Sequence, residues 1–210
     1  MRQLALSILF AALGALLSAC CADGACNAPQ PSRYGTIKIA LGTSLGGARA
    51  WRPDQRAALE PLVRELDALG PDFVWGSEAD PETIVVRPEA LEAGACGFYR
   101  LGETSVSVDP VCTEGFSALR KAAAHEIVHA VLYTRFGWRG HLCWFPLNAP
   151  VPAGCHPTRV CRECLLSPSI QGQDSWEGGV EHYSPSVAIP EPQPEDIALV
   201  RDCFDRGSCE

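Results

Sequence analysis

His125-Glu126-Ile127-Val128-His129 is the stretch on which the reading of this chain turns; Ala122-Ala123-Ala124 precede it and Ala130-Val131-Leu132 follow. Nothing in this run breaks a helix, and Leu119 extends the pattern upstream. The sequence predicts a helix from about Glu114 to Phe136, with Gly137 as its C-terminal stop. Residues four apart lie on one helical face, one turn apart, so His125 and His129 can offer two imidazoles to a single ion. Glu126 points to the neighbouring sector, where a carboxylate can act as a base without being a ligand. Ile127, Val128, Ala130, Val131 and Leu132 are the neighbours expected of a buried helix.

Two neutral nitrogen donors beside a non-ligating base suit metal-assisted hydrolysis, with zinc as the ion. Such a site needs a third protein ligand and one open position. By residue type the candidates downstream are His141, His156, Glu177, Glu181 and His182.

Working outward, residues 36–41 (Thr-Ile-Lys-Ile-Ala-Leu) alternate with a period of two and predict a strand. Pro53 opens a helix in which Leu59, Leu62, Val63, Leu66 and Leu69 share one face, and Gly70-Pro71 stops it. Three extended segments are expected at 83–87, 96–101 and 104–108, the last two joined by a two-residue turn at Gly102-Glu103. Residues 141–174 are rich in Pro, Cys and Gly without periodicity and read as a disulfide-tied insertion. A short helical segment is expected to start near Asp174 or Ser175. A final helix is expected from Pro194, with Glu195 and Asp196 suiting its positive end. Ile197, Val200 and Phe204 would face the core, and Gly207 would end it.

The formal net charge is −8, and no basic run is present, so no nucleic-acid partner is expected. Arg2 and the apolar residues 4–17 read as an export signal, too short for a spanning helix. The chain contains 11 cysteines; if Cys20 carries lipid, an even set remains for an oxidising compartment. Proximity suggests the pairs Cys96–Cys112 and Cys203–Cys209. Cys161 and Cys164 have the spacing of a zinc knuckle, but export favours disulfides for them.

Leu17-Ser18-Ala19-Cys20 resembles a bacterial lipobox, which implies a lipoprotein signal peptide over residues 1–19 and lipidation of Cys20. Residues 20–33 would be a tether, and the mature protein would be anchored to a membrane of the bacterial cell envelope. The helix with its two histidines, preceded by a small sheet and a packed helix, resembles the zincin metalloprotease superfamily, in which the sheet's edge strand aligns the substrate. The longer metzincin motif is absent, because Leu132 and Arg135 occupy its later positions and Met1 is the only methionine.

Trp176-Glu177-Gly178-Gly179-Val180-Glu181-His182-Tyr183 resembles the second motif of gluzincin peptidases. That resemblance implies Glu177 as third zinc ligand and Glu181 as a carboxylate that orients a zinc-bound histidine by accepting its other ring N–H. Gly178-Gly179 and the late position of Tyr183 depart from the motif, and His141 remains the rival ligand. His182 and Tyr183 are candidate oxyanion donors. Residues 186–190, followed by Glu195-Asp196-Ile197, also resemble the end of matrixin domains, with Ala188 where those carry a methionine.

The expectation is an α+β, zincin-like domain over 34–210, a small mixed sheet above an active-site helix with a disulfide-rich C-terminal part. Zn²⁺ would be held by His125, His129 and Glu177, with Glu126 as the catalytic base in hydrolysis of a peptide or protein substrate. Two other readings stay open: a non-catalytic surface lipoprotein that retains the fold, and a zinc amidase acting on cell-wall material.

Overall fold

The alternating run at residue 36 becomes strand β1 (Thr36–Leu41), with Ile37 and Ile39 turned into the core. The computed structural model describes residues 31–47, 49–91, 96–111, 116–140, 142, 164–166 and 191–209. The described residues from Ser32 onward pack as one compact unit. Four further strands join β1: β2 (Asp72–Trp75), β3 (Ile84–Pro88), β4 (Gly97–Tyr99) and β5 (Ser105–Val108). They form one sheet in the order β2-β1-β3-β5-β4. All neighbouring pairs are parallel except β4–β5, which is antiparallel and leaves β4 at the sheet edge. The sheet is therefore mixed, and the architecture is α+β.

Strand β2 lies where the sequence pattern predicts none. Its four residues are too few for periodicity to show, and pairing with β1, Ile37 opposite Phe73, supplies what local pattern lacks. The Asp67 carboxylate also accepts the Phe73 N–H at 2.7 Å.

The single helix expected from Pro53 is in fact two. Helix α1 (Pro53–Leu59) ends before Pro61, and helix α2 (Leu62–Leu66) starts after it and tightens into a 3₁₀ turn over Asp67–Leu69. Proline has no N–H to give the preceding turn, and its ring crowds the carbonyl one turn earlier. The apolar face survives the break: Leu59, Leu62, Leu66 and Leu69 are all buried.

The β4–β5 hairpin also differs from expectation. Its strands stop at Tyr99 and resume at Ser105, and the turn closes with the Glu103 N–H donating to the Arg100 carbonyl at 3.1 Å. Gly102, at φ +87°, supplies the left-handed residue that turn needs.

Helix α3 (Phe116–Phe136) is the centre of the domain. Its neighbours are β3, β4 and β5 on one side and α1, α2 and the last helix, α4 (Pro194–Arg206), on the other. Every residue from 121 to 132 is buried. Ala122, Ala123 and Ala124 allow the close approach this requires. Glu65 of α2 pairs with Arg120 of α3 at 3.0 Å. In α4, Leu199, Val200 and Cys203 are buried, while Ile197 and Phe204 pack against the core from its margin.

Cys203 and Cys209 form a disulfide around the end of α4. Cys96 and Cys164 are also disulfide-bonded, and Cys112 lies outside the described residues. The helix expected near Asp174 and nearly all of the cysteine-rich insertion also lie outside them. Among the described residues no helix is long and apolar enough to cross a membrane.

Leu66 is fully buried at the seam between α2 and the sheet. Leu66→Ala should lower unfolding stability by about 2–5 kcal/mol, read as a reduced denaturant midpoint at unchanged slope.

Candidate metal centre

On α3, His125, Glu126 and His129 are all buried, so their polar atoms depend mainly on partners within the protein. The two imidazoles meet one turn apart, with Nε2 to Nε2 at 3.1 Å and ring planes inclined by 73°. His125 Nδ1 lies 2.7 Å from the Leu165 carbonyl. A carbonyl can only accept, so the proton sits on Nδ1 and the Nε2 lone pair faces His129.

His129 has a ring neighbour of its own. Gly137, at φ +69°, ends α3 in a left-handed turn closed by Gly137 N–H to the Tyr133 carbonyl and Trp138 N–H to the Leu132 carbonyl. The turn folds Trp138 back over His129, with centroids 6.4 Å apart and planes 17° from parallel. Gly140 lets the backbone pass close against that indole, because a Cβ there would fall 2.7 Å from it.

Glu126 reaches the sheet edge. A Cβ on Gly97 of β4 would stand 2.5 Å from Glu126 Oε1 and 2.8 Å from its Cγ. The edge strand thus passes directly over the carboxylate, and only glycine leaves room. On the same strand face, Tyr99 is buried and meets Tyr133 edge to face. Burial raises the Tyr99 phenol above its ordinary pKa.

The carbonyl that holds His125 belongs to a short turn, Cys164-Leu165-Leu166, which is wholly buried. Asp196, on the first turn of α4, accepts the N–H groups of Leu165 at 2.7 Å and Leu166 at 3.0 Å. It also reaches back to the Gln193 N–H at 2.9 Å. Burial pushes the Asp196 carboxyl up; the N–H donors and the Lys121 charge pull it back without cancelling the burial.

Glu177, Glu181, His141, His156, His182, Tyr183 and Cys20 lie outside the described residues. Among the described residues no set of three His, Cys, Asp or Glu side chains that could hold a metal is found. Sequence reasoning missed Gly97, Trp138 and Leu165. Gly97 carries no local signal, and Leu165 acts through its backbone, which has no side-chain signature. Trp138 could have been found from the Gly137 stop, which turns the next residue back onto the helix. Asp196 lies in the first turn of the last helix, as expected, and is in addition fully buried and bonded across the chain.

No family model matches the chain, and no curated protein matches it. Among solved structures it is similar to high choriolytic enzyme 1, a hatching enzyme zinc-protease from Oryzias latipes (medaka fish). That match has 14% identity and a TM-score of 0.38, and covers 84% of this chain and 93% of that one. A likeness this loose assigns no family.

The Gly97–Glu126 contact can be tested without reference to any activity. Gly97→Ala should cost about 1–3 kcal/mol of stability by overpacking. In a Glu126→Ala background the same change should cost clearly less, because the clashing atoms are gone. Equal costs in both backgrounds would show that the two residues do not touch.

Proposed function

We propose that this chain is an exported, lipid-anchored zinc peptidase. One observation carries the reading: His125 and His129 converge through Nε2 while His125 Nδ1 is tied to a backbone carbonyl. Nitrogens about 2.0–2.1 Å from a tetrahedral zinc stand about 3.3 Å apart. The 3.1 Å separation is close to that, so the pair fits the ion.

His125 and His129 would hold the metal, with Glu177 as third ligand and His141 as the rival. Since His125 already donates to Leu165, the histidine for Glu181 to orient would be His129. Zinc, when bound, polarises the scissile carbonyl and lowers the pKa of the attacking water. Glu126 accepts that water's proton on its carboxylate and later delivers it to the departing amine nitrogen. A substrate strand laid along the outer edge of β4 would gain main-chain hydrogen bonds and pass over Glu126 at Gly97. The half-buried Trp138 beside His129 would help limit water on that side.

The Cys203–Cys209 disulfide supports an oxidising compartment. Residues 1–19 would be removed and Cys20 lipidated, holding the domain at a cell-envelope membrane. Cys20→Ala should then move the protein from the membrane fraction to the soluble one in the cell that exports it.

The activity is tested on protein purified with its disulfides formed, by measuring zinc stoichiometry and hydrolysis of general protein and peptide substrates. Wild type should bind one zinc and cleave; Glu126→Ala should keep the zinc and lose about 10²–10⁴-fold in rate. Zinc without hydrolysis would favour the non-catalytic lipoprotein, and cleavage of cell-wall amides instead of peptides would favour the amidase. Glu177→Gln should lose zinc where His141→Ala keeps it; the reverse would exchange the third ligand.

A further inference from the structure

The Leu165–Leu166 turn is bonded on both sides through its main chain. Its two N–H groups go to the Asp196 carboxylate. Its two carbonyls accept from His125 Nδ1 at 2.7 Å and from the Leu142 N–H at 3.0 Å. The first turn of α4 is closed by Ile197 N–H to the Gln193 carbonyl, and capping it takes only the bond that Asp196 accepts from the Gln193 N–H. The two further bonds span about thirty residues of chain and reach the peptide unit that orients His125. Asp196 is fully buried, and the charge facing it is Lys121, one turn before His125 on α3. It therefore clamps α4, the turn and α3 at one point.

We propose that Asp196 is a positioning residue for the metal centre, fixing the Leu165 carbonyl and so the tautomer and orientation of His125. The inference rests on the metal reading of His125 and His129, but its effect on His125 can be read without metal. With the carboxylate present, the turn holds its carbonyl against Nδ1, and Nε2 stays unprotonated toward His129. With an amide in its place, an NH₂ group confronts one of the backbone N–H donors, the turn shifts, and His125 can protonate on either nitrogen.

The experiment compares Asp196→Asn and Asp196→Glu with Leu199→Ala in the full chain with its disulfides formed. Leu199 is buried on α4 and its side chain has no polar atom, so its truncation loosens core packing without removing a hydrogen bond to the turn. Three quantities are read: melting temperature, zinc dissociation constant by chelator competition, and the imidazole ¹⁵N spectrum of His125 in the metal-free protein. Asp196→Asn should weaken zinc binding by about 10–100-fold and turn His125 from a single Nδ1–H form into a mixture. Asp196→Glu, which keeps the acceptor, should restore part of both, and Leu199→Ala should lower the melting temperature while leaving both near wild type. The proposal is overturned if Asp196→Asn leaves the His125 spectrum unchanged, whatever happens to affinity. It is equally overturned if Leu199→Ala and Asp196→Asn lose zinc in proportion to their melting temperatures. If wild type binds no zinc, the peptidase reading fails, and the His125 spectrum alone then decides for or against the role of Asp196.

Discussion

A helix buried on every side can carry polar side chains only if each one is given a partner, and α3 carries four in nine residues: Lys121, His125, Glu126 and His129. An unpaired polar group in such a place costs several kcal/mol by transfer scales, roughly the margin by which a domain is stable. Much of the structure around α3 answers that constraint. Lys121 faces the Asp196 charge, His125 is divided between Leu165 and His129, and Glu126 lies under the edge strand. The turn at 164–166 meets the first turn of α4 through the Asp196 carboxylate, beside the core that both help to fill.

The elements that sequence made legible are those with local cause. The two-residue alternation of β1, the long α3 with its Gly137 stop, and α4 opening at Pro194 all follow from residues within a few positions of one another. Where the cause is distant, reading along the chain falls short. Strand β2 exists because β1 pairs with it, and the break between α1 and α2 shows that an apolar face at helical spacing can run across two helices parted by Pro61. The site divides in the same way. His125, Glu126 and His129 announce themselves by spacing, because four residues on a helix is one face. Gly97 and Leu165 contribute an absent side chain and a main-chain oxygen, and neither has a pattern to detect.

Gly97 also connects the fold to the chemistry. A parallel sheet continued by one antiparallel edge strand leaves that strand short and open on its outer side. The strand must nevertheless lie close enough to α3 to bury Tyr99 against Tyr133 and Glu126 against its own backbone. A side chain at residue 97 would lift the edge away from the helix. The glycine therefore sets how closely the edge strand can approach Glu126 on the helix.

The support of His125 shows where such a design places its sequence constraint. The bonds to the 164–166 turn from Asp196, Leu142 and His125 all end on main-chain atoms of the turn. Leu165 and Leu166 could be exchanged for other apolar residues of similar volume at modest cost, since their side chains are core filling. Asp196 could not, because three backbone donors converge on its one carboxylate. Among the described residues the turn belongs to no helix or strand; the disulfide at Cys164 and that carboxylate help hold it. On the proposed role of Asp196, the orientation of His125 would depend on a residue about seventy positions away, and the last helix would belong to the site rather than cover it.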